Sequence, residues 1–322
     1  MRRIYLLLAL LLAVSACAVA TTDTTLVNTT SQTTTTEAES TTTTEALTGF
    51  PVTISTPGGD VVIEAEPQAI VSLSPSATEN LFAIGAGDQV IAVDDQSNYP
   101  EEAPVTDLSG FTPNLEAILD FEPDLVVINF DPGGIVEGLD AVGVPVLVMS
   151  SATSIEDAFS ELEILGAATG HLGEAAEVVS SMQIEIDAIV EEFRPQVEGT
   201  VIYHEIDNTF YALSSHSYVG EFYEKLGLVN IADEADPDES GYPQLAAEYI
   251  VDADPDVILL ADAAYGESLE TLQQRPGWDS MRAVSTGAVI AVDPDLSSRW
   301  TPRSLLFFRD VAESIAAVVA SG

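Results

Sequence analysis

The sequence predicts an α/β fold made of two similar lobes joined by a single long helix. Short aliphatic runs alternate with helical patterns through the body of the chain, which is typical of parallel sheets covered by helices. The stretch "EAILDFEPDLVVI", which begins at Glu116, returns in the second half as "EYIVDADPDVILL" from Glu248. Between the two copies, an apolar stripe at helical spacing extends from Leu172 to Phe193. Because the chain has 322 residues, of which 46% are hydrophobic, it can bury a core in each lobe.

The N-terminal segment is predicted to be an export signal followed by a tether. Arg2 and Arg3 precede an apolar run that is too short to span a membrane, and the small residues of "VSAC" lead to Cys17. We therefore expect a signal peptide over 1–16, and Cys17 resembles the lipidated cysteine of bacterial lipoproteins. An ordinary secretory signal with an incidental cysteine is the alternative. Residues 17–48 are rich in Thr and poor in apolar residues, so we expect an unfolded tether at a membrane surface.

The N-terminal lobe is expected over 49–171. The segment "AIVSLS" predicts a buried strand, and the helix after it is expected to begin with Ser76 as N-cap and Glu79 closing a capping box. Thr112 is expected to cap the next helix, with a proline at its first position. That helix carries Glu116 and leads into the strand "DLVVI". The runs "QVIAV" and "VPVLVM" predict further strands of the same sheet.

The connecting helix is expected over 172–196 and the C-terminal lobe over 197–322. One stripe of the helix is apolar, which predicts packing along its whole length, and Arg194-Pro195 is expected to end it. In the second lobe, strands are predicted at "TVIYHE", "DVILL" and "AVIAV". Helices are predicted around "YVGEFYEKLG" and from Pro302 onward.

The repeated glutamate is the part of the doubled stretch that packing does not explain. Glu116 and Glu248 each lie seven residues before a proline, so they occupy the same helical register. A buried core accounts for the Ile, the Pro and the aliphatic run of each copy. One such Glu is adequately explained by its favourable position near a helix N-terminus. Two at matching sites indicate a shared outer face that a partner recognises.

Composition and motifs exclude several classes of function. The 53 acidic residues against 9 basic ones give a formal net charge of −44, which repels nucleic acids and anionic lipid headgroups. An exported enzyme is an alternative without support, because the chain lacks a G-x-S-x-G elbow and its one lysine, Lys225, belongs to no phosphate-binding loop. A passive adhesion protein suits the Thr-rich tether but leaves the matched glutamates unexplained.

Four segments resemble one known family. The segments "PQAIVSLSPSATENLFAIGAGDQVIAVDDQSNYP", "GFTPNLEAILDFEPDLVVI", "YPQLAAEYIVDADPDVILL" and "SRWTPR" are similar to solute-binding proteins of ABC importers. The class is the one that binds cobalamin, ferric siderophores or haem, and the resemblance extends from about Pro67 to the C-terminus. It implies a ligand cleft between the two lobes, no catalysis and a monomer. It also implies that Glu116 and Glu248 dock onto arginines of the permease dimer.

Aromatic loop residues are the predicted lining of that cleft, because large cofactor-like ligands have apolar faces. Tyr99, Tyr242 and Trp300 match family positions that line the cleft, whereas Phe111 and Tyr218 are predicted from loop placement alone. Core packing is the alternative for any single ring. Arg299 is expected either to hold an anionic group of the ligand or to pair with one of the many acids.

The identity of the ligand stays open between cobalamin, a ferric siderophore and haem. Cobalamin is favoured, because the first and third of these segments resemble the cobalamin-binding members more closely. No resident cofactor is expected. A bare-metal lipoprotein that uses His204 and His216 is the alternative, although "HEID" matches no recognised zinc spacing. An axial haem ligand from Tyr or His also stays open.

Overall fold

The computed structural model of the protein describes residues 49–56 and 59–321. The predictions for the signal peptide, Cys17 and the Thr-rich tether lie outside these residues. Within the described ranges, no helix is both long enough and apolar enough to cross a membrane.

The described elements alternate between strands and helices, as the sequence predicts. The strands are β1 Val52–Thr56, β2 Gly59–Ile63, β3 Ile70–Leu73, β4 Val90–Val93, β5 Leu125–Ile128, β6 Val146–Val148, β7 Val201–Glu205, β8 Val229–Asn230, β9 Val257–Leu260 and β10 Val289–Ala291. The helices are α1 Pro75–Ala83, α2 Leu115–Leu119, α3 Ile135–Asp140, α4 Ile155–Thr169, α5 Leu172–Val197, α6 Tyr218–Lys225, α7 Ala247–Ala253, α8 Leu269–Gln274, α9 Arg282–Thr286, α10 Pro294–Ser297 and α11 Ser304–Ser321.

Each lobe is built on a parallel sheet of four strands. The order is β4-β3-β5-β6 in the N-terminal lobe and β8-β7-β9-β10 in the C-terminal lobe, so the two sheets have the same topology. The hairpin β1–β2, which has no equivalent among the described C-terminal strands, packs on the N-terminal lobe through buried Ile54 and Ile63. The predicted architecture of two α/β lobes is confirmed.

The long helix α5 joins the lobes and packs against α4 on one side and α11 on the other. All the residues of the predicted stripe are buried, namely Ala175, Val179, Met182, Ile186, Ile189 and Phe193. The prediction that Pro195 ends the helix is wrong, because α5 continues to Val197. Pro195 removes only the single hydrogen bond that a backbone N–H at this position would donate to the carbonyl of residue 191. The last turn is held by buried Val197 and by the ion pair of Arg194 with Glu198 at 3.0 Å.

Two predicted helix starts are wrong by two residues. The N-cap of α1 is Ser74, whose hydroxyl accepts from the backbone N–H of Ala77, rather than Ser76. The N-cap of α2 is Asn114, whose side-chain oxygen accepts from Ala117 at 3.1 Å, rather than Thr112. In both cases another residue with a good capping side chain lies close by in the sequence, and hydrophobic periodicity alone does not choose between them.

Candidate ligand site between the lobes

The carboxyl ends of the two sheets meet in the structure. Asn98 follows β4 in one lobe, Asp295 follows β10 in the other, and the Asn98 amide donates to the Asp295 carboxylate at 2.8 Å. A second link runs from the backbone N–H of Ile155 to the carboxylate of Glu221 at 2.6 Å. Since loops at the carboxyl ends of parallel strands form the usual ligand site of open α/β sheets, this junction is where a ligand site is expected.

Arg299 lies inside the junction rather than on an open surface. The residue is 6% exposed, and its guanidinium donates to Glu79 at 2.7 Å, to the Asn98 side chain at 2.8 Å and to the Gln96 carbonyl at 3.1 Å. Of the two predicted roles, pairing with an acid is therefore the one that the structure shows. A guanidinium with this many partners has few free donors for a ligand.

Glu79 is the acidic centre of the junction. The prediction that its side chain closes a capping box is wrong. The residue is 4% exposed, and its carboxylate accepts from Arg299, from the Thr301 hydroxyl at 2.7 Å and from Arg303 at 3.2 Å. These partners all come from "SRWTPR", so α1 of one lobe is tied to the start of α11 of the other. The sequence held a signal for this contact, since two of the chain's few basic residues lie in that hexapeptide.

Trp300 is half-buried in the same junction. Its indole Nε1–H donates to Glu161 at 2.6 Å, and its carbonyl accepts from Asn80 at 3.4 Å. Burial raises the pKa of the Glu161 carboxyl to about 7, although the bonds from Trp300 and Asn80 oppose the shift. The ring of Trp300 thus has a fixed polar anchor, with part of its surface still accessible.

Three of the predicted aromatic residues are exposed on loops. Tyr99, Phe111 and Tyr242 are 44%, 68% and 50% exposed, and each lies beyond the carboxyl end of its sheet. The ring of Tyr99 lies under the Arg303 guanidinium, 3.9 Å from its centroid. Phe111 packs against Phe130 with the ring centroids 6.0 Å apart.

Tyr218 is placed differently from its predicted loop. It is the first residue of α6 and is 3% exposed, with its hydroxyl 2.6 Å from the Ser304 hydroxyl. Burial raises its pKa. Its ring packs edge-on against Phe222, so the structure places Tyr218 in the core and gives it no open surface for a ligand.

The loop that carries Tyr242 is organised by a buried carboxylate. Asp236 is 3% exposed and accepts from the Ser214 hydroxyl at 2.6 Å, from Ser240 and from the Gly241 N–H at 2.8 Å. Burial pushes the Asp236 pKa upward, but these donors together hold it below the usual value. Tyr242 is therefore presented by a loop with a defined shape.

Phe130 and Tyr265 are exposed aromatic residues that were not among the sequence candidates. Phe130 is 43% exposed in the loop after β5, and Tyr265 is 84% exposed in the loop after β9. Strands β5 and β9 are the equivalent strands of the two sheets. The doubled stretch could have identified these two residues, because each lies a few residues after one of its two copies.

The two repeated glutamates lie at equivalent places. Glu116 is the second residue of α2 and Glu248 is the second residue of α7, and both side chains are exposed. Each of these helices leads into the third strand of its sheet. The common register predicted from the sequence is thus present in the fold.

The structure does not bring His204 and His216 together as a metal site. His204 is fully buried, with Nδ1 2.7 Å from the Tyr223 hydroxyl, and burial lowers its pKa to about 3. His216 instead lies 3.3 Å from Asp236. Across residues 49–56 and 59–321, no group of three or more His, Cys, Asp or Glu side chains is arranged to hold a metal ion.

Sequence comparison supports what the geometry indicates. The periplasmic binding protein family model matches residues 70–296. The uncharacterized ABC transporter substrate-binding lipoprotein YvrC of Bacillus subtilis (strain 168) is 31% identical over 276 residues, which cover 83% of this chain and 86% of the relative. A cobalamin-binding protein of Halobacterium salinarum (strain ATCC 29341 / DSM 671 / R1) is 30% identical over 266 residues, covering 79% of this chain and 71% of the relative.

Structure comparison gives the same fold. The periplasmic heme-binding protein RhuT from Roseiflexus sp. RS-1, in its apo form, superposes with a TM-score of 0.70 at 22% identity. The match covers 79% of this chain and 99% of that one. From the family match and these relatives we conclude that the chain belongs to the periplasmic binding protein family, the solute-binding proteins of transport systems.

Proposed function

We propose that this protein captures a large cofactor-like ligand outside the cytoplasm and delivers it to the permease of an ABC importer, with no catalytic step. Cobalamin is the favoured ligand, and a ferric siderophore or haem is the alternative. The observation that carries the proposal is the set of aromatic side chains left exposed on loops at the carboxyl ends of both sheets. Its members are Tyr99, Phe111, Phe130, Tyr211, Tyr242 and Tyr265.

Exposed aromatic rings on ordered loops are unusual on a surface that is otherwise so acidic. Each ring offers a broad apolar face at little cost in conformational entropy, which suits a ligand with extended flat surfaces. The cationic groups nearby are already engaged, since Arg299 and Arg303 both pair with Glu79. Recognition by aromatic contact therefore fits this site better than recognition of a strongly anionic chelate.

Cobalamin is favoured because a relative described as a cobalamin-binding protein aligns over 79% of this chain. Haem is supported only by the fold of structural neighbours such as RhuT. A haem ligand would take its axial contact from an exposed side chain such as Tyr265 or His216, since His204 is buried in the core.

Delivery is proposed to use Glu116 and Glu248. Both carboxylates are exposed, and neither takes part in an ion pair within the described residues. Two equivalent carboxylates, one on each lobe, suit a permease dimer that offers a basic side chain from each subunit. Cys17 is proposed as the lipidated residue that, through the 17–48 tether, keeps the body at the outer face of the cytoplasmic membrane. The body is proposed to act as a monomer.

Isothermal titration of residues 49–322 with cyanocobalamin, haemin and a ferric hydroxamate tests the ligand assignment. We expect cyanocobalamin to bind at least tenfold more tightly than the other two. Phe111→Ala should weaken that binding about fivefold, the equivalent of about 1 kcal/mol. Phe121→Ala is the matched control, because Phe121 is also an exposed phenylalanine but precedes β5, at the amino end of the strands and so opposite the proposed ligand site. Tight haemin binding without cyanocobalamin binding, or equal effects of the two substitutions, would contradict the assignment.

A further inference from the structure

A pocket of about 760 Å³ opens on the C-terminal lobe, next to the loop after β9 that carries Tyr265. It lies between α7, α8 and the loop that follows β7. Its lining includes Phe210, Glu248, Val251, Asp252, Gln274 and Trp278. One of the two proposed docking carboxylates, Glu248, is therefore part of the wall of a pocket.

The one basic residue of this pocket is fully occupied. The Arg275 guanidinium donates to both carboxylate oxygens of Glu205, at 2.7 and 2.6 Å, and to Glu267 at 2.8 Å. It also stacks on Trp278, 4.4 Å from the ring centroid, and Glu205 is completely buried. Arg275 thus closes one side of the pocket. Its positive charge is already neutralised by Glu205 and Glu267, so it is not available to bind an anion.

Two carboxylates of the lining have no cationic partner among the described residues. Glu248 and Asp252 lie one helical turn apart on α7, both exposed, and neither is in a described ion pair. Val251 and Phe210 supply apolar wall beside them. A pocket with apolar walls and two free carboxylates at its edge is complementary to a long basic side chain, whose aliphatic stem can be buried while its charge pairs.

The N-terminal lobe has the same two acids without the same opening. Their sequence equivalents are Glu116 of α2 and Asp120, the C-cap residue that follows this helix. However, Leu115 of α2 packs so closely on Gly138 of α3 that a β-carbon on the glycine would lie 2.7 Å from its Cδ2 atom. The gap between these helices is therefore filled where the gap between α7 and α8 is open.

We propose that the α7–α8 pocket receives an arginine or lysine side chain of the permease, so that docking buries a basic residue in the C-terminal lobe but meets only a surface carboxylate on the N-terminal lobe. This inference rests on the proposed function and deepens it. The pseudo-symmetric pair of glutamates brings both lobes onto the permease dimer. The single pocket then gives one of the two possible orientations a better fit.

Two adjacent glutamines of α8 provide the test. Gln273 and Gln274 are both exposed, but only Gln274 lines the pocket. Gln274→Arg places a competing cation in the pocket beside Asp252, whereas Gln273→Arg adds the same charge outside it. Binding of each variant to the permease dimer of this importer, reconstituted in lipid nanodiscs, is measured by surface plasmon resonance.

We expect Gln274→Arg to weaken permease binding at least tenfold and Gln273→Arg to change it by less than twofold. Asp252→Asn should likewise weaken binding more than Asp120→Asn does. If Glu248→Ala weakens binding while Gln274→Arg and Asp252→Asn behave like their controls, docking stands and the pocket inference is overturned. If neither Glu116→Ala nor Glu248→Ala affects binding, the proposed docking itself fails, and the pocket inference fails with it.

Discussion

The two lobes share a strand order, yet the side chains around their sheets are only partly repeated. The helix that precedes the third strand carries an exposed glutamate in the same register in both lobes, at Glu116 and Glu248. The inter-lobe junction is not repeated, because Glu79 comes from one lobe and Arg299 from the other. The repeated glutamates are therefore the groups that a two-fold symmetric partner could contact in the same way on both lobes. The side chains that are not repeated join the lobes and are proposed to contact the ligand.

Reversal of both repeated charges is expected to have the largest effect of the substitutions considered. Cells that carry Glu116→Lys with Glu248→Lys should lose uptake of labelled cyanocobalamin, because like charges then face the permease. Loss of one partner of a desolvated charge pair costs about 2–5 kcal/mol, so each single Ala variant should also be impaired. The purified double variant should still bind ligand normally.

The matched control for that experiment is Glu137→Lys with Glu270→Lys. These residues are first-turn acids of the next helices, α3 and α8, and both are exposed. If the repeated glutamates only stabilise their helix N-termini, both double variants should lose at most about 1 kcal/mol of stability per site and keep normal uptake. Equal uptake by the two double variants would therefore contradict a docking role.

The unrepeated junction should govern stability. Arg299→Ala leaves the Glu79 carboxylate buried without its main partner, which is expected to lower the free energy of unfolding by about 3–5 kcal/mol. Arg309→Ala is the comparison, because Arg309 pairs with Glu185 and Glu192 at the surface and should lose about 1 kcal/mol or less. Urea titrations of both variants measure the difference, and equal small losses would show that the junction is not a structural link.

The junction should also make stability depend on pH through Glu161. Its folded-state pKa of about 7 lies above the ordinary value of 4.5, so the folded protein holds this proton more tightly than the unfolded chain. The stability that this carboxyl contributes is present below pH 4.5 and is lost as the pH rises toward 7, by about 3 kcal/mol in all. Glu161→Gln should remove that part of the pH dependence, while an unchanged stability difference between variant and wild type from pH 4.5 to 7 would contradict the assignment.

The smallest expected effect is at the proposed ligand surface. Tyr242→Ala should weaken cyanocobalamin binding about fivefold, equivalent to about 1 kcal/mol, through loss of one stacking face. The melting temperature of the unliganded protein should stay nearly constant, because Tyr242 is half exposed. Tyr242→Phe keeps the ring and should bind almost normally. A marked fall in apo stability of the Ala variant would instead assign the ring to the core.

Much of the fold was predictable because its signals are periodic. The stripe of α5 and the doubled helix–strand unit depend on hydrophobic spacing, which local sequence displays directly. Helix starts were less predictable, since Ser74 and Ser76 are both good capping residues and only one has the required backbone geometry. Pro195 does not mark the exact end of α5, because a proline in the last turn of a helix and a proline just past its end look alike in sequence.

The candidate site was predictable only in part, because burial depends on contacts between distant segments. Tyr99, Phe111 and Tyr242 are exposed on loops as expected, but Tyr218 starts a helix and is buried against Ser304. The partnership of Glu79 with Arg299 spans 220 residues of sequence, so no local pattern reports it.

Native mass spectrometry of the protein purified from its own host, under conditions that keep bound ligand, tests the central claim most directly. The account predicts a complex whose added mass is that of a single corrinoid, and the corrinoid should be released on unfolding. A complex that carries haem, an iron chelate or a bare metal ion instead would contradict the assignment of cobalamin as the ligand.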